Sequence, residues 1–120
     1  MRLLLIGSMD GQIGAASKIA LQKGGSVTHA ETIDQALETL RNGQGADLIM
    51  ADVKLDIYSL VERLDGERIC VPVVACGVAE DARAAVKAIK AGAKEYIPLP
   101  PDAELIGAVL SAFSMQTSPV

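Results

Sequence analysis

Short apolar runs alternate along this chain with stretches whose apolar residues recur at helical spacing, one pair roughly every 20 to 25 residues. This alternation constrains the fold more than any other feature. Parallel strands need a long crossover between them, and a helix is the crossover that also covers the sheet. The runs are RLLLIG (2–7), SVTHA (26–30), DLIMA (47–51), VPVVAC (71–76) and EYIP (95–98). The first, third and fourth are apolar on consecutive residues, as strands buried on both faces are.

Between the runs, Ile33, Ala36, Leu37 and Leu40 recur at i, i+3, i+4, i+7, and Thr32 with Gln35 forms a capping box ahead of that face. The same template returns at Ile57, Leu60, Val61 and Leu64, at Ala82, Ala85, Val86 and Ile89, and at Ile106, Val109, Leu110 and Phe113. Asp56, Asp81 and Asp102 precede these three segments as N-caps. The first helix has the weaker apolar face, Ile13, Ala16 and Ala20, and Gly43 and Gly92 stand where helix ends need positive φ. Right-handed crossovers then give an α/β fold of the (βα)5 flavodoxin-like, CheY-like kind, a three-layer sandwich around a five-stranded parallel sheet of order 2-1-3-4-5.

A chain of 120 residues, 50% of them apolar, buries a core without disulfides or metal, and one domain over 1–113 with a tail or linker start at 114–120 is the natural division. With one Phe, two Tyr and no Trp, that core is aliphatic and offers little base-stacking surface. A net charge of −4 has the wrong sign for neutralising a phosphate backbone, so no direct nucleic-acid binding is expected. Cys70 and Cys76 flank an apolar run with no C-x-x-C spacing and read as reduced core thiols. LLLIG is too short for a signal or a membrane span, so a cytoplasmic domain with no membrane partner is expected.

In such a sheet ligands bind beyond the carboxyl ends of the strands, at the switch point between the first and third. The residues there are Gly7, Ser8, Met9 and Asp10, then Asp52, Val53 and Lys54, then Cys76 and Gly77, then Pro98 to Pro101. No Ser or Cys is paired with a histidine, because the single His29 lies within the second strand, and triad catalysis is set aside: no enzyme is expected. GSMDGQIG after the first strand departs from the G-x-G-x-x-G that cradles a pyrophosphate, which argues against a nucleotide module, and no cofactor is expected.

The stretch VPVVACGVAEDARAAVKAIKAGAKEYIPLPPD resembles the fourth strand to fifth helix of response-regulator receiver domains in NtrC-type regulators, and the resemblance extends over essentially the whole chain. It implies that Asp52 stands at the phosphoacceptor position after the third strand and Tyr96 at the aromatic switch position of the fifth, with Gly92 and Ala93 on the family's Gly-Ala. It also exposes departures. The acidic pair expected after the first strand is replaced by Gly7 and Ser8 (or Ser8 and Met9 in the adjacent register), the hydroxyl residue after the fourth strand by Gly77, and the lysine after the fifth by Leu99. The Leu99–Pro100 bond stands where receivers often carry a cis peptide, and a cis bond is expected there.

These departures remove what phosphoryl transfer to a carboxylate requires. Mg²⁺ is held by carboxylates in near-octahedral geometry and neutralises the phosphoryl oxygens, and the lysine and hydroxyl would hydrogen-bond the product. Metal neutralisation supplies several kcal/mol, so its loss costs about a thousandfold or more in rate. Asp10 or Asp56 offers a displaced metal ligand beside Asp52, against their simpler roles as a turn residue and an N-cap. Asp52 itself keeps two readings, polar strand terminator or residual phosphoacceptor.

On the fourth helix Arg83, Lys87, Lys90 and Lys94 are spaced as one basic stripe, a solvated face or a docking surface. The receiver frame with this site and the tail GAKEYIPLPPD is most similar to FlbD-type flagellar regulators, NtrC-type activators of σ54-dependent transcription. That resemblance implies a pseudoreceiver controlled by a protein partner of the FliX flagellar-assembly type, or by dimerisation through the face of the fourth helix, fifth strand and fifth helix, in place of phosphorylation. A phosphorylation-competent two-component receiver using Asp52 is the competing expectation.

Overall fold

Leu3 and Leu5 pack on one side of the first strand, Leu4 and Ile6 on the other, and this alternation divides the whole core in two. The computed structural model of the chain describes residues 2–7, 12–22, 25–43, 45–69, 71–78, 82–99 and 103–116. Strands β1 (Arg2–Ile6), β2 (Ser26–Ala30), β3 (Leu48–Asp52), β4 (Val73–Val78) and β5 (Glu95–Leu99) alternate with helices α1 (Gln12–Gln22), α2 (Ile33–Arg41), α3 (Ile57–Gly66), α4 (Ala82–Lys90) and α5 (Ala103–Gln116). The sheet is parallel in the order β2-β1-β3-β4-β5, as the alternation predicts.

The layer of α1 and α5 closes over Leu3, Leu5, Leu48, Met50, Val74 and Cys76, using Ala20, Ile106 and Val109. The layer of α2, α3 and α4 closes over Leu4, Ile6, Ile49, Ala51, Val73 and Ala75, using Ala36, Leu37, Ile57, Leu60, Leu64 and Ala88. Consecutive apolar residues in β1, β3 and β4 are therefore buried on both faces. β3 and β4 each begin and end one or two residues later than the apolar runs do, so that Asp52 is the last residue of β3.

Local signals hold where the described residues test them. Thr32 accepts from the Gln35 N–H at 3.1 Å, while the Gln35 side chain reaches one residue further back than a reciprocal box does, to the Glu31 N–H at 2.9 Å. Asp56 caps α3 by accepting from the Ser59 N–H at 3.0 Å. Gly43 and Gly92 take φ of 87° and 118°. Gly92 has a second reason to be glycine, because a Cβ there would lie 2.8 Å from Val61 Cγ1 on α3. Asp81 and Asp102, the Leu99–Pro100 bond, Cys70 and the side chains of Ile13, Ala16, Ala82, Leu110 and Phe113 lie outside the described residues.

One face differs from its sequence pattern. The spacing of Ala82, Ala85, Val86 and Ile89 puts Val86 and Ile89 on the core side of α4, yet they are 52% and 47% exposed, and Ala88 is the buried residue. On the core side α4 packs through Ala88, and the larger apolar residues turn outward.

Candidate functional site

The carboxyl ends of the strands gather the positions singled out in the sequence. Ile6 pairs with Ala51 and Asp52 with Cys76, which sets Gly7, Asp52 and Gly77 along one edge, and Leu99 ends β5 beside Val78. Ser8 and Asp10 lie outside the described residues, as does anything they would contribute to a metal.

Asp52 is half-buried, and its Oδ1 accepts the Lys54 N–H at 2.9 Å, closing the turn that leads from β3 toward α3. The turn is held again by the Val53 N–H on the Cys76 carbonyl at 2.8 Å and the Leu55 N–H on the Asp52 carbonyl at 2.9 Å. Its carboxylate stands close enough to Cys76 to matter electrically. Burial first, and the Asp52 charge second, push the Cys76 thiol up to about 12. Cys76 is thus an inert, protonated core thiol, in keeping with its sequence reading.

Gly7 is buried with φ of 135°, a conformation that a side chain at this position would strain. Its N–H donates to the Ala30 carbonyl at 2.9 Å, and its own carbonyl accepts from His29 Nε2. Because a carbonyl only accepts, His29 carries its proton on Nε2. The sequence showed His29 only as a strand residue; its partner becomes visible once Leu5 pairs with His29 and Ile6 with Ala30.

Gly77 is more than a missing hydroxyl. A Cβ at this position would lie 2.5 Å from both Tyr96 Oη and Val53 Cγ1, so the space where a serine or threonine side chain would start is already filled. Tyr96, paired with Ala75 across β4 and β5, is half-buried and packs with the α2–α3–α4 layer. Val53, which follows Asp52 directly, and Tyr96 thus meet at the same space over Gly77.

Of the carboxylates offered as metal ligands beside Asp52, Asp56 is engaged at the N-terminus of α3, and Asp10 lies outside the described residues. Among the described residues no three Asp, Glu, His or Cys side chains converge as a metal site.

Arg83, Lys87 and Lys90 are exposed on α4 and line a shallow groove with Val86, while Lys94 stands beyond the helix at the opposite edge of the sheet. A second, larger groove of about 580 Å³ runs between α4 and the turn and first residues of α3. No described helix is long and apolar enough to cross a membrane.

No family model matches the chain. Over 120 residues it is 55% identical to the transcriptional regulatory protein FlbD of Caulobacter vibrioides, and it spans 26% of that protein's length. The receiver domain of NtrX from Brucella abortus superposes with a TM-score of 0.80 at 23% identity, covering 97% of this chain and 99% of that one. An atypical orphan response regulator, described as working by a phosphorylation-independent regulatory mechanism, superposes with a TM-score of 0.74 at 25% identity, covering 94% of each.

Proposed function

We infer function from family: the chain is a response-regulator receiver domain of the FlbD-like kind. We propose that it is a pseudoreceiver, a non-enzymatic regulatory domain of a σ54-dependent flagellar transcription regulator, set by a bound protein or by dimerisation and not by Mg²⁺-dependent phosphorylation of Asp52. The observation that carries this reading is the seating of Tyr96 and Val53 over Gly77, which fills the place where a hydroxyl-bearing side chain would begin. Supporting it are Asp52 at the end of β3, whose Oδ1 is used by the backbone turn, and the residues Gly7 and Ser8, or Ser8 and Met9, where the sequence would need an acidic pair. The partner in this reading is of the FliX flagellar-assembly type, and the contact surface includes Lys87 and Lys90, which stand exposed on α4.

The test is made in the whole regulator. Asp52→Asn keeps an Oδ1 that accepts from the Lys54 N–H, so it removes the phosphoacceptor without opening the turn. Transcriptional output unchanged in Asp52→Asn but altered in Lys87→Glu/Lys90→Glu supports the reading; output lost in Asp52→Asn and intact in the charge reversal opposes it. The competing reading, a phosphorylation-competent receiver, draws on one observation, the placement of Asp52 at the carboxyl end of β3.

A further inference from the structure

Within the layer of α2, α3 and α4, the α2–α3 and α3–α4 junctions are closed in different ways. Arg41 clamps Glu67 with two bonds of 2.6 and 2.8 Å, and Arg63 reaches Asp34 at 2.7 Å, so α2 and α3 are tied across their surfaces. Between α3 and α4 there is a close contact where Gly92 meets Val61. Facing the segment 53–58, α4 presents Ala84 and Ala88, with Ala91 just past its end, and the groove of about 580 Å³ lies there.

The charge of this groove departs from that of the chain. The protein carries 15 Asp and Glu against 11 Lys and Arg, yet among the described residues the groove is lined by Lys54, Lys87 and Arg83 and by one carboxylate, Asp56. Asp56 is turned to the backbone of α3, where it accepts from the Ser59 N–H. Apolar surface adjoins the cations: the groove contains Leu55 and Tyr58, the latter 62% exposed, and Val86 lies beyond the ridge of Arg83 and Lys87. Basic walls around an apolar floor on an acidic protein match a ligand that is acidic and amphipathic.

We propose that the groove between α4 and the Val53–Tyr58 segment is a docking site for an acidic amphipathic segment of a protein partner. It rests on the reading above, that a partner controls the domain, and adds where that partner sits and what chemistry it presents. Val53 lines the groove and also fills the space over Gly77, and the Lys54 N–H is bonded to Asp52. A segment seated there bears on the turn that carries Asp52, so occupancy stands in for modification.

The test is an NMR titration of the ¹⁵N-labelled chain at about 50 mM salt. The probe is a synthetic helical peptide of about 16 residues with Glu on one face and Leu on the other. Its control is the same peptide with Lys in place of Glu. The acidic peptide is expected to shift the amides of Lys54, Tyr58 and Lys87, with affinity reduced about tenfold or more in Lys54→Glu/Lys87→Glu and by less in the neutral Lys54→Gln/Lys87→Gln. No shift in the groove at about 1 mM peptide, equal binding of the Lys peptide, or shifts confined to the outer side of α4 overturns the proposal. Groove shifts that follow protein concentration alone assign the groove to a second copy of the chain, and also overturn it. Phosphorylation of Asp52, measured separately, defeats the proposed function and leaves this result to be read on its own.

Discussion

The hydroxyl of Tyr96 stands where a side chain on Gly77 would begin, 2.5 Å from the position of a Cβ. Val53 closes the same space from the other side at 2.5 Å. Val53 is short and sits in a hydrogen-bonded turn. Gly77→Ser is therefore expected to destabilise the domain by about 1–3 kcal/mol, the range for overpacking. In a Val53→Ala background the serine should cost less by about 1 kcal/mol, a coupling that urea unfolding of the four proteins in the cycle measures. Strictly additive effects would mean that Val53 does not hold the space.

Val86 and Ile89 are the large apolar residues of α4, and both face solvent. Val86→Ser and Ile89→Ser should each change stability by no more than about 0.5 kcal/mol. Ala88→Leu, pressed against the sheet, should cost about 1–3 kcal/mol. Urea midpoints in the reverse order would return the helix to the orientation its sequence pattern suggests.

Alkaline pH probes the junction of Asp52 and Cys76. The folded protein holds the Cys76 thiol protonated up to about 12, by burial and then by the Asp52 charge, against an ordinary value of 9.0. The unfolded chain releases that proton first, so the contribution is complete below pH 9.0 and is lost as pH rises toward 12. Cys76→Ala should flatten this limb relative to the parent protein, and denaturant midpoints from pH 8 upward read the difference. The other alkaline groups are common to both proteins and cancel. Parallel curves would contradict the burial of this thiol.

Much of this was legible in the chain because it is local or periodic. Four apolar residues in a row in β1 and again in β3 state burial on both faces, and Asp56 three residues before Ser59 states a cap. Asp52 was placed at the end of β3 for the same reason: it is where the apolar run stops. What the chain did not reveal depends on register between distant segments. Gly77 meets Tyr96 only because Ala75 pairs with Tyr96 and Val53 folds back from β3, and His29 reaches Gly7 only across the β1–β2 pairing. The orientation of α4 failed for a related reason, since helical period fixes which residues share a face but the space above the sheet decides which face turns inward.

Acid pH reads a contact at the opposite edge of the sheet. Asp47 accepts the Arg2 N–H at 2.8 Å and meets Arg2 Nη2 at 3.4 Å, which holds its carboxyl below the usual carboxylate range, the backbone bond being the largest cause. That stability is present above the unfolded value of 3.8 and is lost as pH falls through the lower folded value. Asp47→Asn should lose about 1 kcal/mol or less at neutral pH, and the gap to the parent should narrow below pH 3.8. A gap that stays constant with pH would assign the loss to something other than the charge.

The central claim is that Asp52 keeps the phosphoacceptor's place without its chemistry. Incubating the 120-residue chain with acetyl phosphate and Mg²⁺, followed by intact mass, tests it most directly. The account predicts an unmodified mass for both the parent chain and Asp52→Asn. A near-stoichiometric phosphoryl adduct on the parent chain, absent from Asp52→Asn, would contradict it.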